Sequence, residues 1–446
     1  MLTSLLTSLF FAAGSAAGGE GGGLPTKAPS EVGMSAVRLQ RIDRVLNSAI
    51  KAGGFPGGSV VIGRKGATVF EKGYGTLSWS SKTPVVASRT IYDLASLTKV
   101  VATTTAIMVL FDEGKIKLDD PVSKYLPGFG GGPKDDITVY HLLEHRSGLP
   151  AGRDLWRIAL TPDEARAAAI NTPLECLPGK CYIYSDLGAD MLGFIAEEVS
   201  GKRLDVFMQE RVFGPLGMLD SYFRPHWTLR DRIAPTELTP PRGYPLRGEV
   251  HDENAFALGG VAGHAGMFST ASDLAMFAQM MLNGGELNGV RIVSDTAVAL
   301  FTARTESRGT RALGWDTCGH DGSCGKYLSE RAYGHTGFTG TSLWIDPDRD
   351  LFVILLTNRV HAARAGRPAK VIADIRADVA DAAALSVRKS NGELAAMPAS
   401  FRADKKSGWN RPVRSRSSRS RKASAKKTTT KKPAAKPVKK VASAGN

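Results

Sequence analysis

The sequence predicts an α/β fold: a sheet domain flanked by helices, with a mainly helical insert. Three observations carry this. Strand-forming runs lie far apart in the chain, at about 58–73 and 341–357. Between them, residues 100–230 read mostly as helix. The run Val100 to Leu110 has no polar face, which marks a buried helix. Strands at the two ends of a domain bury their faces by pairing across such a block.

The elements follow in order. Leu39, Ile42, Val45, Leu46 and Ile50 share one helical face, so a helix is predicted from Ser35 to Ala52, ended by Gly53-Gly54. Gly58–Ile62 and Ala67–Gly73, joined through Arg64-Lys65-Gly66, form a hairpin. Thr138 caps a helix that stops at Gly148-Leu149-Pro150. Thr161-Pro162 starts another, with Pro at the first helical position. Tyr184-Ser185-Asp186 precedes an amphipathic helix closed by Gly201. Thr341–Ile345 and Leu351–Thr357 are strands around the Asp346–Asp350 turn. A last helix runs from Pro368 to about Leu385. No internal repeat is visible.

With 446 residues, 42% hydrophobic and 23% charged, the chain has ordinary globular composition and length for one large core or two subdomains. The net charge of +15 is local: residues 401–446 hold 16 Lys and Arg against one acid, and the rest is balanced. Residues 1–17 form an apolar run ending in small residues, a secretory leader with Ser15-Ala16-Ala17 at its cleavage site. It lacks the usual basic start, since no Lys or Arg precedes Lys27. The run is too short to span a bilayer, so no membrane span is expected after its removal. The divisions are then a leader at 1–17, a Gly-rich linker at 18–33, a folded domain at 34–386 and a disordered basic tail at 387–446. The tail suits an anionic polymer, or merely solubilises.

Four cysteines, Cys176, Cys181, Cys318 and Cys324, allow three pairings. In an exported protein the two local bridges, Cys176–Cys181 and Cys318–Cys324, are favoured. A zinc site lacks the usual close spacing. Free thiols are the reading if the chain stays inside. His251-Asp252-Glu253 has no matched ligand set, so no metal is expected.

Chemistry centres on Ser96-Leu97-Thr98-Lys99, at the start of the apolar helix. Residues at i and i+3 share a face, so hydroxyl and amine can meet. Burial disfavours an ammonium and turns lysine into a base for a serine nucleophile. S-x-x-K alone is common, and its bland alternative is an N-cap serine beside a solvated lysine. The motif is joined by Tyr184-Ser185-Asp186, by His335-Thr336-Gly337 before a strand, by Gly263-His264-Ala265-Gly266-Met267-Phe268-Ser269-Thr270, and by the 137–150 segment containing His145. His264 reads as structural or a cleft wall, and His145 as a helix-end residue.

In this order and spacing the motifs resemble S-x-x-K, Y-x-N and K-T-G of the serine β-lactamase and penicillin-binding-protein superfamily, in its class C and DD-peptidase-like branch, over roughly residues 30–385. The resemblance implies the β-lactamase/transpeptidase fold, with an antiparallel sheet flanked by helices. It implies Ser96 as acylated nucleophile, Lys99 as base, and Tyr184 as proton relay. His335 would stand where the K-T-G lysine usually does, with Thr336 and Gly337 binding substrate. The N–H groups of Ser96 and Phe338 would form the oxyanion hole. Asp186 would also bind substrate, at the position that faces a substrate carbonyl, but it departs from the asparagine of the pattern. A carboxylate accepts but does not donate hydrogen bonds, which disfavours β-lactam recognition.

The expectation is an exported serine hydrolase, periplasmic or extracellular, needing no cofactor. Its substrates are amides or esters of small or glycopeptide molecules derived from peptidoglycan, cleaved in the manner of a carboxypeptidase or an amidase, with the basic tail on an anionic envelope polymer. The alternatives are a broad esterase or β-lactamase, or a non-catalytic cell-wall-binding protein. A nucleic-acid-binding role through the tail would follow from retention in the cytoplasm. The oligomeric state is not legible.

Overall fold

The computed structural model describes residues 23–305, 311–318, 322–361 and 369–410. The two distant strand-forming regions pair directly. One six-stranded antiparallel sheet has the spatial order Ala67–Gly75, Gly57–Arg64, Leu351–Thr357, Thr341–Asp346, Tyr333–Gly337, Asp316–Thr317. Val61 faces Ile354 in the central pair.

The central strands are apolar throughout because both faces of the sheet are covered. Alternate residues enter different cores. Phe352, Ile354 and Leu356 join the large core shared with the helical block. Leu351, Val353 and Leu355 join a smaller core with helices from the chain ends. That second layer is built from Ala36–Leu39, Arg41–Lys51 and Ala369–Ser386. The single helix expected over Ser35–Ala52 is therefore two, broken at Gln40. Ala271–Leu282 supplies buried side chains to the large core.

The capping signals act as read. The side chains of Thr138, Thr161 and Ser185 accept N–H bonds from His141, Glu164 and Gly188. They open the helices Val139–Leu143, Pro162–Ile170 and Asp186–Ser200, the last closed by Gly201 at φ +66°. The segment Ala95–Asp112 is apolar and long enough to cross a membrane, but 83% of it is buried as the core helix. It is not uniform: Lys99–Thr104 winds as a π-helix before α-helix resumes at Thr105.

The expected boundaries move outward at both ends. Within the 18–33 linker, Thr26 pairs with Thr68, and Pro29–Val32 forms a short 3₁₀ helix with Val32 buried. Within the 387–446 tail, residues 387–410 belong to the fold. Phe401, Ala403 and Trp409 are buried in the smaller core. Trp409 Nε1 donates to Asp374 at 2.8 Å, and Arg402 reaches Asp378 and Asp381 at 3.2 and 2.8 Å. A few aromatic anchors hold this stretch, and the basic composition around them conceals the signal. The leader at 1–17 and residues 411–446 lie outside the described residues.

Candidate active site

Ser96 sits on a tight elbow. The strand Tyr92–Asp93 leads into a 3₁₀ turn, Ala95–Leu97, and Ala95 takes φ +48°. That region is uncommon for a residue with a Cβ and needs support from its surroundings. Asp93 Oδ1 accepts the Ala95 N–H at 2.8 Å. Thr339 and Thr341 hydroxyls donate to the carbonyls of Asp93 and Leu94 at 2.7 and 2.9 Å. The following π-helical turn is a departure often found at functional sites. Nothing in the apolar run announces it.

Lys99 is buried, and Nζ donates to Ser96 Oγ at 3.0 Å and to the His264 carbonyl at 3.1 Å. It also lies 2.7 Å from Asp186 Oδ1, an ion pair without an aligned hydrogen bond. Burial alone pulls its pKa down, but Asp186 and Tyr184 outweigh burial and hold it above the ordinary lysine value. This corrects the expectation of a desolvated neutral amine: at rest Lys99 is an ammonium. Asp186, expected to face a substrate carbonyl, turns instead to Lys99 from the first position of its helix. A carboxylate there also suits the helix dipole.

Tyr184 is enclosed by rings and cations. Its ring stacks on His335 with centroids 5.9 Å apart and lies 4.7 Å from His145. Lys99 Nζ and Arg311 Cζ stand 5.0 and 5.2 Å from its centroid. His335 lies within a strand of its own, Tyr333–Gly337, which precedes the expected strand at Thr341–Asp346. Its Nδ1–H donates to the Thr336 carbonyl at 2.8 Å, and its buried Nε2 has no hydrogen-bond partner. Burial, then Arg311 and Lys99, press its pKa well below the usual histidine value. The ring is neutral, with an open acceptor nitrogen.

Thr336 is half-buried, and Gly337 ends the strand. Only glycine fits there, because a Cβ would lie 2.1 Å from Thr341 Oγ1 and 2.2 Å from the Leu94 carbonyl. The next residue, Phe338, is 47% exposed, with its ring 5.7 Å from His251 and 5.0 Å from Arg359 Cζ. Phe338 thus follows a strand end pressed against the Ser96 elbow.

Two residues belong to the site beyond the sequence reading. His145 does end a helix, at φ +58°, but its Nδ1 also accepts the Ser185 N–H at 3.1 Å, fixing the turn that carries Tyr184. Its place within the quoted 137–150 segment was the available signal. Arg311 had none, since it lies outside any motif. Its Nε donates to the Tyr182 hydroxyl at 2.9 Å, and its Nη1 is buried without a hydrogen-bond partner. His264 proves to be the centre of a buried charge cluster. Nδ1 and Nε2 meet Asp190 and Asp252 at 2.7 and 2.9 Å. Burial disfavours its charge, but the two carboxylates hold its pKa well above the usual value.

Cys176 and Cys181 form a disulfide. Cys318 and Cys324 are free thiols, contrary to the favoured second bridge. A hydrogen bond to Cys324, together with burial, raises the Cys318 pKa. A separate hollow of about 670 Å³, lined by Trp156, Leu160, Pro162, Phe256 and Phe268, contains none of the proposed catalytic side chains.

A serine against a buried lysine, a tyrosine beside that lysine and a strand end lying over the serine turn define a serine hydrolase fold and site. The family model described as Beta-lactamase matches residues 42–377, and the chain belongs to that family. It is 34% identical over 402 residues to an Escherichia coli K12 protein named "Putative D-alanyl-D-alanine carboxypeptidase", covering 81% of this chain and 91% of that one. The octameric penicillin-binding protein homologue of Pyrococcus abyssi is 25% identical, with TM-score 0.59 over 72% of this chain and 73% of that one. A penicillin-binding protein homologue from Caulobacter crescentus, at 21% identity, shares the fold with TM-score 0.63 over 79% of this chain and 99% of that one.

Proposed function

We propose that this hydrolase is an exported, carboxypeptidase-type enzyme acting through an acyl-enzyme at Ser96 on peptidoglycan-derived amides or esters. The observation that carries the reading is the 3.0 Å contact between Ser96 Oγ and Lys99 Nζ within the Tyr184 and His335 cluster. Ser96 Oγ attacks the substrate carbonyl carbon. Its proton passes to Lys99 in molecules whose Lys99 ammonium has first lost a proton to solvent. The carbonyl oxygen gathers charge against the N–H groups of Ser96 and Phe338, where loss of one donor typically costs ~10²–10³ in rate. The C–N or C–O bond breaks as Tyr184 delivers a proton to the leaving group. Water then attacks the ester and its proton restores the Tyr184 hydroxyl, while Lys99 returns its proton to Ser96 Oγ as the acyl–oxygen bond breaks. His335 Nε2 is an acceptor that orients the Tyr184 hydroxyl or the incoming water.

Arg311 supports the carboxypeptidase type. Its Nε stands 3.9 Å from Asp316, but its buried Nη1 has no hydrogen-bond partner and its guanidinium lies beside Tyr184, where a substrate carboxylate would accept from it. The name of the Escherichia coli relative agrees. Residues 411–446, with 13 Lys and Arg and no acid, are proposed to hold the enzyme on an anionic envelope polymer.

A fluorophosphonate should label Ser96 and no other serine, and Lys99→Ala should suppress labelling. Labelling elsewhere with Ser96 untouched would sink the mechanism. Mass spectrometry of digested peptidoglycan should then show release of a C-terminal amino acid. A substrate amidated at that carboxylate should be cleaved at least about tenfold more slowly, as loss of a charge-assisted hydrogen bond requires.

A further inference from the structure

The peptide joining Gly337 to Phe338 is gripped by a buried cation. Arg376, on the helix Ala369–Ser386, is 8% exposed, and its Nη2 donates to the Gly337 carbonyl at 2.5 Å. Its Nε is buried with no hydrogen-bond partner. The acids of the same helix are engaged elsewhere: Asp374 with Lys370 and Trp409, Asp378 and Asp381 with Arg402. Burial and the like charge of Arg359 both work against the guanidinium, and no carboxylate among the described residues supports it. An unbalanced buried charge is costly and has no evident value to folding alone.

Its grip falls on one particular group. The Gly337 oxygen also accepts the Gly340 N–H at 3.0 Å, so two donors hold it. In a trans peptide the carbonyl and the next N–H point in opposite directions. Holding the Gly337 oxygen therefore aims the Phe338 N–H the other way. The strand end cannot shift, because Gly337 lies against the Leu94 carbonyl, two residues before Ser96. A cation on the carbonyl also polarises the amide and strengthens its N–H as a donor. We infer that Arg376 is a positioning residue of the oxyanion hole, fixing and polarising the Gly337–Phe338 peptide from behind. The inference rests on the acyl-enzyme reading above.

The test compares Arg376→Met, similar in volume and uncharged, with Arg376→Lys, which keeps charge and a donor. Replacing a buried charge by an apolar residue of like volume is often neutral for folding. Four quantities are read: kcat and KM on a small ester, affinity for a boronic acid that forms a tetrahedral serine adduct, and melting temperature. The Met variant should lose about 10- to 100-fold in kcat with KM within about twofold, less than removal of a donor outright. Its boronate affinity should fall by the same factor, and the Lys variant should recover part of both. Native kcat in the Met variant, or lost kcat with native boronate affinity, overturns the inference. If the Met variant does not fold, Arg376→Gln is read in the same way, and its kcat and boronate affinity must still fall together. Failure of fluorophosphonate to label native Ser96 refutes the parent mechanism instead, so the two failures are distinct.

Discussion

Asp186→Asn removes the countercharge of Lys99 and leaves its burial in place. The charges stand 2.7 Å apart. Coulomb's law at that distance gives about 6 kcal/mol at an effective dielectric near 20, and about 1.5 kcal/mol in bulk water. The Lys99 side chain is 3% exposed but that of Asp186 is 34%, so water screens one end of the pair. A working range of about 2–4 kcal/mol follows. At ~1.4 kcal/mol per tenfold change in protonation, the lysine pKa falls by roughly 1.5–3. The direction is set by the pair: Asp186 raises the pKa, and only the neutral amine accepts the Ser96 proton. Native kcat/KM should therefore keep rising into the alkaline range, and the Asn variant should reach its plateau at lower pH. The assay is a pH–rate profile from about pH 6 to 11 on a small ester, corrected for spontaneous hydrolysis. An acid limb that stays in place, or moves up, refutes Lys99 as the base governed by Asp186.

Other outcomes follow from the packing. A chain ending at residue 410 should keep its melting temperature and small-ester turnover. One ending at 400 loses Phe401 and Trp409 from the core and should be destabilised by at least about 3 kcal/mol in thermal or urea unfolding. Gly337→Ala should cut turnover sharply while Ser342→Ala, on the neighbouring strand, serves as control, since only the former drives a Cβ into the Leu94 carbonyl. His264→Leu leaves the buried Asp190 and the half-buried Asp252 without this cation and should cost about 3 kcal/mol. Because His264 has a raised folded pKa, its contribution is complete below about pH 6.5 and lost as pH rises through the folded value. Urea midpoints across pH for native and Leu proteins check this, and a gap that widens toward high pH contradicts it.

Much of the architecture was written in local patterns. Caps at Thr138, Thr161 and Ser185 and the apolar strand Leu351–Thr357 depend on neighbours in sequence, so they could be read directly. Ser96 and Lys99 were likewise legible, being one turn apart. What escaped was set by distant partners. The charge state of Lys99 depends on Asp186, on another helix. His264 looked structural because its two acids, Asp190 and Asp252, come from separate segments. Arg311 and Arg376 carry no motif and acquire meaning only from the rings and carbonyl they meet. The folded part of the tail was masked by its composition, where Phe401 and Trp409 stand among basic residues.

The pairing of Val61 with Ile354 also has a temporal consequence. A ribosome releases the first of these residues long before the second. Until then Gly57–Arg64 has its hairpin partner on one side and an open hydrogen-bonding edge on the other. The sheet cannot be completed while the chain is still growing through the helical block. Closing so large a loop comes late in folding and is intrinsically slow. Throughout synthesis the nascent protein is a strand edge in search of a partner, vulnerable to neighbours that present one first.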